Sequence, residues 1–169
     1  MVSLEVSPDI AHDVHGTVRE ACELFARLAM PNVMIKVPGT VPGLHAVEQL
    51  IAEGVNVNVT LLFSVERYVS VAEAYLRGLE RRRARGLPID RIASVASFFV
   101  SRLDTALDPL LAQRQPELQG RIANANAKLA YQEYLEIFSG PHFVALREQG
   151  AKALVNKGVA LRQLERTDE

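Results

Sequence analysis

Polar side chains that could carry acid–base or nucleophilic chemistry stand at or near the ends of four short apolar runs in this sequence. They are Glu5, Lys36, Asn58, Thr60, Ser97 and Arg102. If the four runs are parallel strands, their carboxyl ends meet along one edge, which is where α/β proteins place reacting groups. The sequence therefore predicts one site that draws on all four runs.

Lys36 is the most unusual of these residues, because it lies in the apolar run 33–37, Val-Met-Ile-Lys-Val. Burial disfavours the ammonium form of a lysine and favours the neutral amine. A neutral amine can attack a carbonyl, which is what Schiff-base catalysis requires. The alternative is a strand-end lysine whose charged end reaches water. For one lysine without context, that alternative is the better interpretation.

The elements that must position these residues form an alternating pattern. Short β-branched runs predict strands at 2–6, 33–37, 56–63 and 92–100, separated by amphipathic helices. Thr17 and Glu20 have the spacing of a capping box at the start of the first helix. Gly54 is expected to end the second helix, and Ser64 is expected to cap the third. The chain therefore reads as four βα units.

Beyond Arg102 the sequence is mostly helical. Breaks are expected at Pro109, Pro116 and Gly120, a stop at Gly140 and Pro141, and a last amphipathic stretch over 143–154. The predicted class is α/β with extra helices toward the C-terminus. Four parallel strands fit either an open doubly wound sheet or half of a (β/α)₈ barrel, and periodicity alone leaves both open.

Composition excludes several classes of protein. The chain has 169 residues, 49% hydrophobic and 23% charged, which is typical of a single globular domain. A net charge of −1 predicts no general attraction to nucleic acid or membrane. The single Cys22, the absence of a long apolar run and the absence of a signal pattern together predict a cytoplasmic protein.

Two other clusters are expected to be structural. His12 and His15 lack a third ligand, so no metal site is predicted there. The basic run at 81–85 falls at the end of an amphipathic helix, where positive charges suit the helix dipole. It predicts a solvated helix face rather than a nucleic-acid site.

Six segments of the chain resemble, in the same order and spacing, consecutive motifs of bacterial transaldolases. They are SLEVSP, PNVMIKVPGT, GVNVNVTLLFS, VAEAYLRGLE, IASVASFFVSRLDT and ANAKLAYQ. The resemblance covers roughly residues 2–151 and implies strands 3 to 6 of a (β/α)₈ barrel. The whole chain, 1–169, is then expected to be a single partial-barrel domain with a divergent tail over 152–169.

The resemblance also implies a role for each residue at the strand ends. Lys36 matches the lysine that forms a Schiff base with the ketose donor, and Glu5 and Thr60 match the pair that handles a water in proton transfer. Asn58 and Ser97 match residues of the substrate pocket, and Arg102 matches a phosphate-binding arginine. The alternative to a catalytic or binding role is a structural one, in which the polar group of a barrel residue is simply hydrogen-bonded to its neighbours. For Arg102 the alternative is an ion pair with Asp104. Lys128 is expected to be structural.

The implied activity is transfer of a dihydroxyacetone unit from sedoheptulose 7-phosphate or fructose 6-phosphate to an aldose phosphate, in the pentose phosphate pathway. An imine takes up the electron pair of the broken carbon–carbon bond, so no metal or cofactor is expected. A fructose-6-phosphate-type aldolase is one alternative, although those relatives tend to carry glutamine where this chain has Glu5. The other is a catalytically impaired remnant that acts as an assembly module.

The family pattern is incomplete in this sequence. Two βα units that would precede Glu5, with an aspartate, are absent, and no tryptophan-containing motif follows Gly150. A gene truncated at both ends, with a frame change near Ala151, would explain both departures. Half a barrel exposes sheet edges and an inner face. A second copy of the chain or a complementing chain is therefore expected to cover them, with sugar phosphates as the small-molecule partners.

Overall fold

The computed structural model describes residues 1–148 and 154–155, and it contains one parallel sheet with strand order β1-β2-β3-β4-β5. The strands are β1 (Val2–Glu5), β2 (Val33–Pro38), β3 (Val57–Leu62), β4 (Ala93–Phe98) and the short β5 (Leu154–Val155). The helices are α1 (Val14–Leu28), α2 (Val41–Glu53), α3 (Val65–Ala84), α4 (Ser101–Leu111), α5 (Ile122–Ser139) and α6 (Pro141–Glu148). Two 3₁₀ turns lie at Pro8–Ile10 and Pro116–Leu118.

The predicted α/β class with four βα units is confirmed. The order of the described strands follows the chain without reversal, whereas a doubly wound sheet reverses at a switch point. The architecture is therefore consistent with a partial (β/α)₈ barrel. Three helices, α4 to α6, lie between β4 and β5, so the extra helices predicted toward the C-terminus are also present.

The core lies between one face of the sheet and the helices. On this face Ile35, Val37, Val57 and Val59 are fully buried. They pack in one apolar cluster with residues of α2 and α3. Because side chains alternate along a strand, the intervening residues face the opposite side. That side carries Lys36, Asn58 and Thr60.

The start of α1 differs from the prediction. Its N-cap is Asp13, whose carboxylate accepts a hydrogen bond from the Gly16 amide at 3.0 Å. Thr17 is instead buried inside the helix, and its hydroxyl donates to the Ile10 carbonyl at 2.9 Å. Glu20 accepts from the Ser7 amide and so ties α1 to the β1–α1 loop. The capping-box prediction was wrong because both side chains make longer-range contacts.

The C-terminal predictions are partly correct. Pro109 lies inside α4 rather than breaking it. The stop predicted at Gly140 and Pro141 is confirmed, because α5 ends at Ser139, and Pro141 then begins α6. Proline is well suited to a first helical turn, where its missing amide has no helical partner in any case. The amphipathic stretch does not continue as a helix to Leu154, because Leu154 lies in β5 and pairs with Ala93 of β4. Residues 149–153 and 156–169 lie outside the described part.

The caps predicted at Gly54 and Ser64 are confirmed.

Helix α3 packs closely on α2 and carries most of the basic run. At Gly78, an added Cβ would lie 2.6 Å from the Ile51 Cβ, so only glycine allows this approach. Arg81 pairs with Glu48 of α2 at 3.0 Å, and Arg85 pairs with Glu53 at 2.7 Å. The run is thus largely an exposed helix face whose charges bridge to the neighbouring helix.

Glu48 is the best-enclosed acid of this interface, and it predicts a pH-dependent contribution to stability. Burial alone would raise its pKa, but hydrogen bonds and charges from Arg77 and Arg81 outweigh burial and lower the pKa below 4.5. A lowered folded-state pKa contributes stability that is present above the unfolded-state pKa and lost as pH falls through the folded one. Glu48→Gln is expected to lower the free energy of unfolding by about 1–2 kcal/mol at pH 7.

Urea unfolding at several pH values checks this prediction. The difference in the free energy of unfolding between wild type and Glu48→Gln should become smaller as pH falls below about 4. Glu53→Gln on the same helix is the matched control, because its pair with Arg85 is half exposed on both sides. Glu53→Gln should lower the free energy of unfolding by well under about 1 kcal/mol. An equal loss for both variants, or a gap that does not change with pH, would contradict the assignment to Glu48.

Candidate functional site

An open cleft of about 630 Å³ lies at the carboxyl ends of β1 to β4. Its volume is within the range of small-molecule sites. It is lined by Ser3, Leu4, Glu5, Lys36, Asn58, Thr60, Ser97 and Phe99. Five of the six residues singled out in the sequence are therefore brought together, and only Arg102 lies outside the lining.

The charged centre of the cleft is an ion pair between the Lys36 amine and the Glu5 carboxylate. The two residues are direct neighbours in the β1–β2 register, so the sheet itself places them side by side. The Lys36 side chain is 28% exposed and that of Glu5 is 63% exposed. The amine therefore lies partly sheltered beside a solvent-accessible proton acceptor, and both groups can reach a molecule in the cleft.

A hydrogen-bonded chain crosses the floor of the cleft. The Ser97 hydroxyl donates to the Asn58 side-chain oxygen at 2.7 Å, and the Asn58 amide donates to the Ser3 hydroxyl at 3.0 Å. This chain joins β4, β3 and β1, and it orients the Asn58 amide beside Lys36, its neighbour in the β2–β3 register. The orientation of the Asn58 side chain is thus fixed by hydrogen bonds at both its oxygen and its nitrogen.

Thr60 faces the same cleft from the end of β3. The residue is only 9% exposed, and it follows Asn58 by two positions, so both share one face of the strand. Among residues 1–148 and 154–155, none forms a hydrogen bond with its hydroxyl. That hydroxyl is therefore available to a bound molecule or to water.

Arg102 lies next to the cleft rather than in it. Its guanidinium stacks on the Phe99 ring, 4.8 Å from the ring centroid, and Phe99 stacks in turn on Phe63 at 5.2 Å. The alternative ion pair with Asp104 does not form between these two described residues. Partial burial, with the charge of Asp108, raises the pKa of Asp104, which is opposite to the effect of an arginine partner. Among the residues that the structure describes, the Arg102 guanidinium therefore has no carboxylate partner.

Three lining residues, Ser3, Leu4 and Phe99, were missed in the sequence. Leu4 lies beside Glu5 and has no polar group that would have singled it out. Ser3 and Phe99 each lie two positions from a predicted site residue, Glu5 and Ser97 respectively. The period of two along a strand could have found both, because residues i and i+2 share a face.

The remaining features carry no comparable geometry. Within the described part of the chain, no three His, Cys, Asp or Glu side chains are grouped closely enough to hold a metal ion. Lys128 is exposed on α5, away from the cleft lining. Of the helices that the structure describes, none has both the length and the apolar character to cross a membrane.

The fold and the site define a parallel α/β protein with an amine, a carboxylate and several hydrogen-bonding groups gathered at the carboxyl edge of its sheet. Comparison with known proteins then identifies its family. The chain belongs to the transaldolase/fructose-6-phosphate aldolase family, whose model matches residues 1–156.

Individual relatives are consistent with this assignment. The chain is 54% identical over 153 residues to "Transaldolase" of Saccharopolyspora erythraea, covering 89% of this chain and 42% of the relative. It is 49% identical over 176 aligned positions to "Transaldolase 2" of Nostoc punctiforme, covering 96% and 44%. With "Transaldolase" of Thiobacillus denitrificans it shares 51% identity over 155 residues, covering 89% and 43%. The chain thus spans little more than two-fifths of the length of these curated relatives.

Proposed function

We propose that the protein acts as a transaldolase through an imine on Lys36. It would transfer a dihydroxyacetone unit from sedoheptulose 7-phosphate or fructose 6-phosphate to an aldose phosphate, a reaction of the pentose phosphate pathway in the cytoplasm. The observation that carries this proposal is the Lys36 amine paired with Glu5 inside the cleft. The family assignment and the names of the relatives support it.

The proposed reaction begins when Lys36 loses a proton, because an ammonium cannot attack a carbonyl. Glu5 is the carboxylate within reach to accept that proton. The amine adds to the C2 carbonyl of the ketose, and loss of water produces a protonated imine. The C3–C4 bond then breaks as a base takes the C4 hydroxyl proton. The carbons from C4 onward leave as an aldose phosphate, and the bonding pair becomes part of an enamine. The enamine attacks the acceptor aldehyde, and hydrolysis restores Lys36.

The other polar groups bind and orient in this scheme. The fixed Asn58 amide, with Ser97 behind it, recognises hydroxyls of the three-carbon unit. The free Thr60 hydroxyl and Glu5 hold the water that is lost and regained with the imine. Arg102 on the rim offers a planar pair of donors to the phosphate. Except for Arg102 on the rim, each of these roles is assigned to a residue that lines the cleft with Lys36.

The open edge of β1 is a surface on which another protein chain can bind. Val2 and Leu4 on this edge strand are 64% and 41% exposed, and an exposed edge strand readily pairs with another chain. We infer that a second copy or a complementing chain covers this edge. The same surface supports the alternative of an assembly module without catalysis.

A single-turnover experiment separates the candidate functions. The chain is incubated with fructose 6-phosphate labelled in its first three carbons, freed of excess sugar, and divided between buffer and buffer with erythrose 4-phosphate. Borohydride then traps the label that remains on the protein. For a transaldolase the label should persist in buffer and disappear with the aldose phosphate, appearing in a seven-carbon ketose phosphate.

Two other outcomes would change the assignment. Equal loss of label in both samples identifies an aldolase that releases the three-carbon unit to water. Absence of label on a folded sample supports the assembly module.

Glu5→Gln, which preserves shape but cannot accept the proton, should slow label uptake by about a hundredfold.

A further inference from the structure

Strand β3 contains an extra residue at the point where it reaches the cleft. Its register with β4 shifts between Val59 and Leu62, so Thr60 and Leu61 together lie opposite the single residue Ser97. Two residues facing one is a β-bulge, a feature that often redirects a side chain beside an active site. Alternation from Asn58 already turns Thr60 to the cleft, and the bulge begins at this residue, so the irregular backbone of Leu61 holds Thr60 from its C-terminal side.

Leu61 occupies the left-handed region of backbone space, with φ of 61°. Leucine rarely adopts this conformation, because its Cβ crowds the backbone. The other described non-glycine residue with positive φ is Ala29. It caps α1, where a left-handed residue is ordinary. Leu61 has no such explanation within a strand.

The surrounding structure holds Leu61 in this conformation from both sides. The Gly39 amide donates to the Thr60 carbonyl at 2.7 Å, and the Phe99 amide donates to the Leu62 carbonyl at 2.8 Å. The Asn126 side chain donates to the Phe63 carbonyl at 2.8 Å. A strained residue persists only where its neighbours over-determine it, and these three bonds provide that restraint.

Burial of the Leu61 side chain does not compensate for its strained backbone. It is 40% exposed, whereas Leu62 beside it is fully buried on the helix side. In a regular strand, position 61 would follow Val59 onto the helix side, and position 62 would face the cleft. The bulge instead returns Leu62 to the core, so Thr60 is fixed between two buried anchors, Val59 and Leu62.

We propose that Leu61 is a positioning residue whose left-handed backbone fixes the orientation of the Thr60 side chain in the cleft that also contains the Lys36–Glu5 pair. Its catalytic meaning rests on the proposed function, but its effect on Thr60 can be measured without it. The requirement falls on the backbone of position 61 and not on the leucine side chain. Residues that tolerate a left-handed backbone should therefore replace Leu61, and β-branched residues should not.

The test compares Leu61→Asn with Leu61→Val. Asparagine is close to leucine in size and tolerates the left-handed region, whereas valine disfavours it strongly. The first readout is the rotamer of Thr60, measured by NMR scalar couplings to its labelled methyl group. Wild type and Leu61→Asn should show one rotamer, and Leu61→Val should show averaging among several. Leu61→Asn should also raise the folded-to-unfolded ratio, by about fivefold, as strain is relieved.

The second readout is the rate at which fructose 6-phosphate and borohydride label Lys36. Leu61→Val should lower this rate by about tenfold in the native background. It should lower the rate less than about twofold when combined with Thr60→Val, because the hydroxyl that it misplaces is then already gone. A general loss of structure would instead reduce both rates alike.

The outcomes separate this inference from the proposed function. If wild type is folded but unlabelled, the proposed function fails, and the Thr60 couplings alone decide the role of Leu61. If the couplings are the same in all three proteins, the positioning role is overturned. Should Leu61→Val not fold, Leu61→Ala takes its place, with Leu61→Gly as its control. Both remove the leucine side chain, but only glycine adopts the left-handed region freely, so more averaging of Thr60 in Leu61→Ala than in Leu61→Gly supports the role, and equal couplings in the two overturn it.

Discussion

Borohydride added with fructose 6-phosphate is expected to attach a three-carbon unit permanently to Lys36. Only an imine is reduced to a stable secondary amine under these conditions, so the adduct reports on the nucleophile directly. In Lys36→Ala and Lys36→Arg, labelling at this position should fall below detection. Peptide mass mapping of the reduced protein identifies the labelled residue.

The two variants separate chemistry from charge. Lys36→Arg retains a positive charge beside Glu5 but has no amine that can form an imine, so its ion pair should survive while its labelling is lost. Lys128→Ala is the matched control, because Lys128 is an exposed lysine outside the cleft. It should label as wild type does. An adduct on another lysine, or none on a folded sample, would remove Lys36 from the mechanism.

The 169-residue chain by itself is expected to turn over at least a hundredfold more slowly than a full-length relative, an order-of-magnitude figure for lost positioning groups. Catalysis requires groups held within about half an ångström of their productive positions. The described site draws its groups from one side of a cleft that is open at β1. Substrate can therefore bind Lys36 without being enclosed or fully oriented.

A steady-state assay under saturating donor and acceptor, beside a relative from Thiobacillus denitrificans, checks this expectation. Labelling of Lys36 counts the competent sites, so misfolded material is not mistaken for slow material. If a second copy covers the β1 edge, specific activity should rise with chain concentration. Turnover per labelled site comparable to that of the relative would contradict the prediction, and the open cleft would then be sufficient.

Glu5, Lys36, Asn58 and Thr60 could be found in the sequence because the signal is local. Each is a polar residue near the end of an apolar β-branched run, and parallel pairing brings such ends together. Their assembly in one cleft agrees with that expectation. Their catalytic roles still depend on the experiments above.

Other features depended on a choice between neighbouring partners and were not predictable. Asp13 rather than Thr17 caps α1, because Thr17 is drawn into a buried bond with the Ile10 carbonyl. Arg102 stacks on Phe99 instead of pairing with Asp104, since the aromatic ring reaches it across the turn after β4. Local patterns contain no information on which of two feasible partners lies closer in space.

The sequence by itself determined the alternation of strands and helices, the parallel α/β class and the cleft-facing polar residues, because periods of two and 3.6 are properties of the local backbone. Tertiary structure alone decided the register that sets Glu5 beside Lys36. It also decided the strained conformation of Leu61. Register and strain are set by hydrogen bonds and burial among segments far apart in the chain, and such contacts exist only once the sheet has formed.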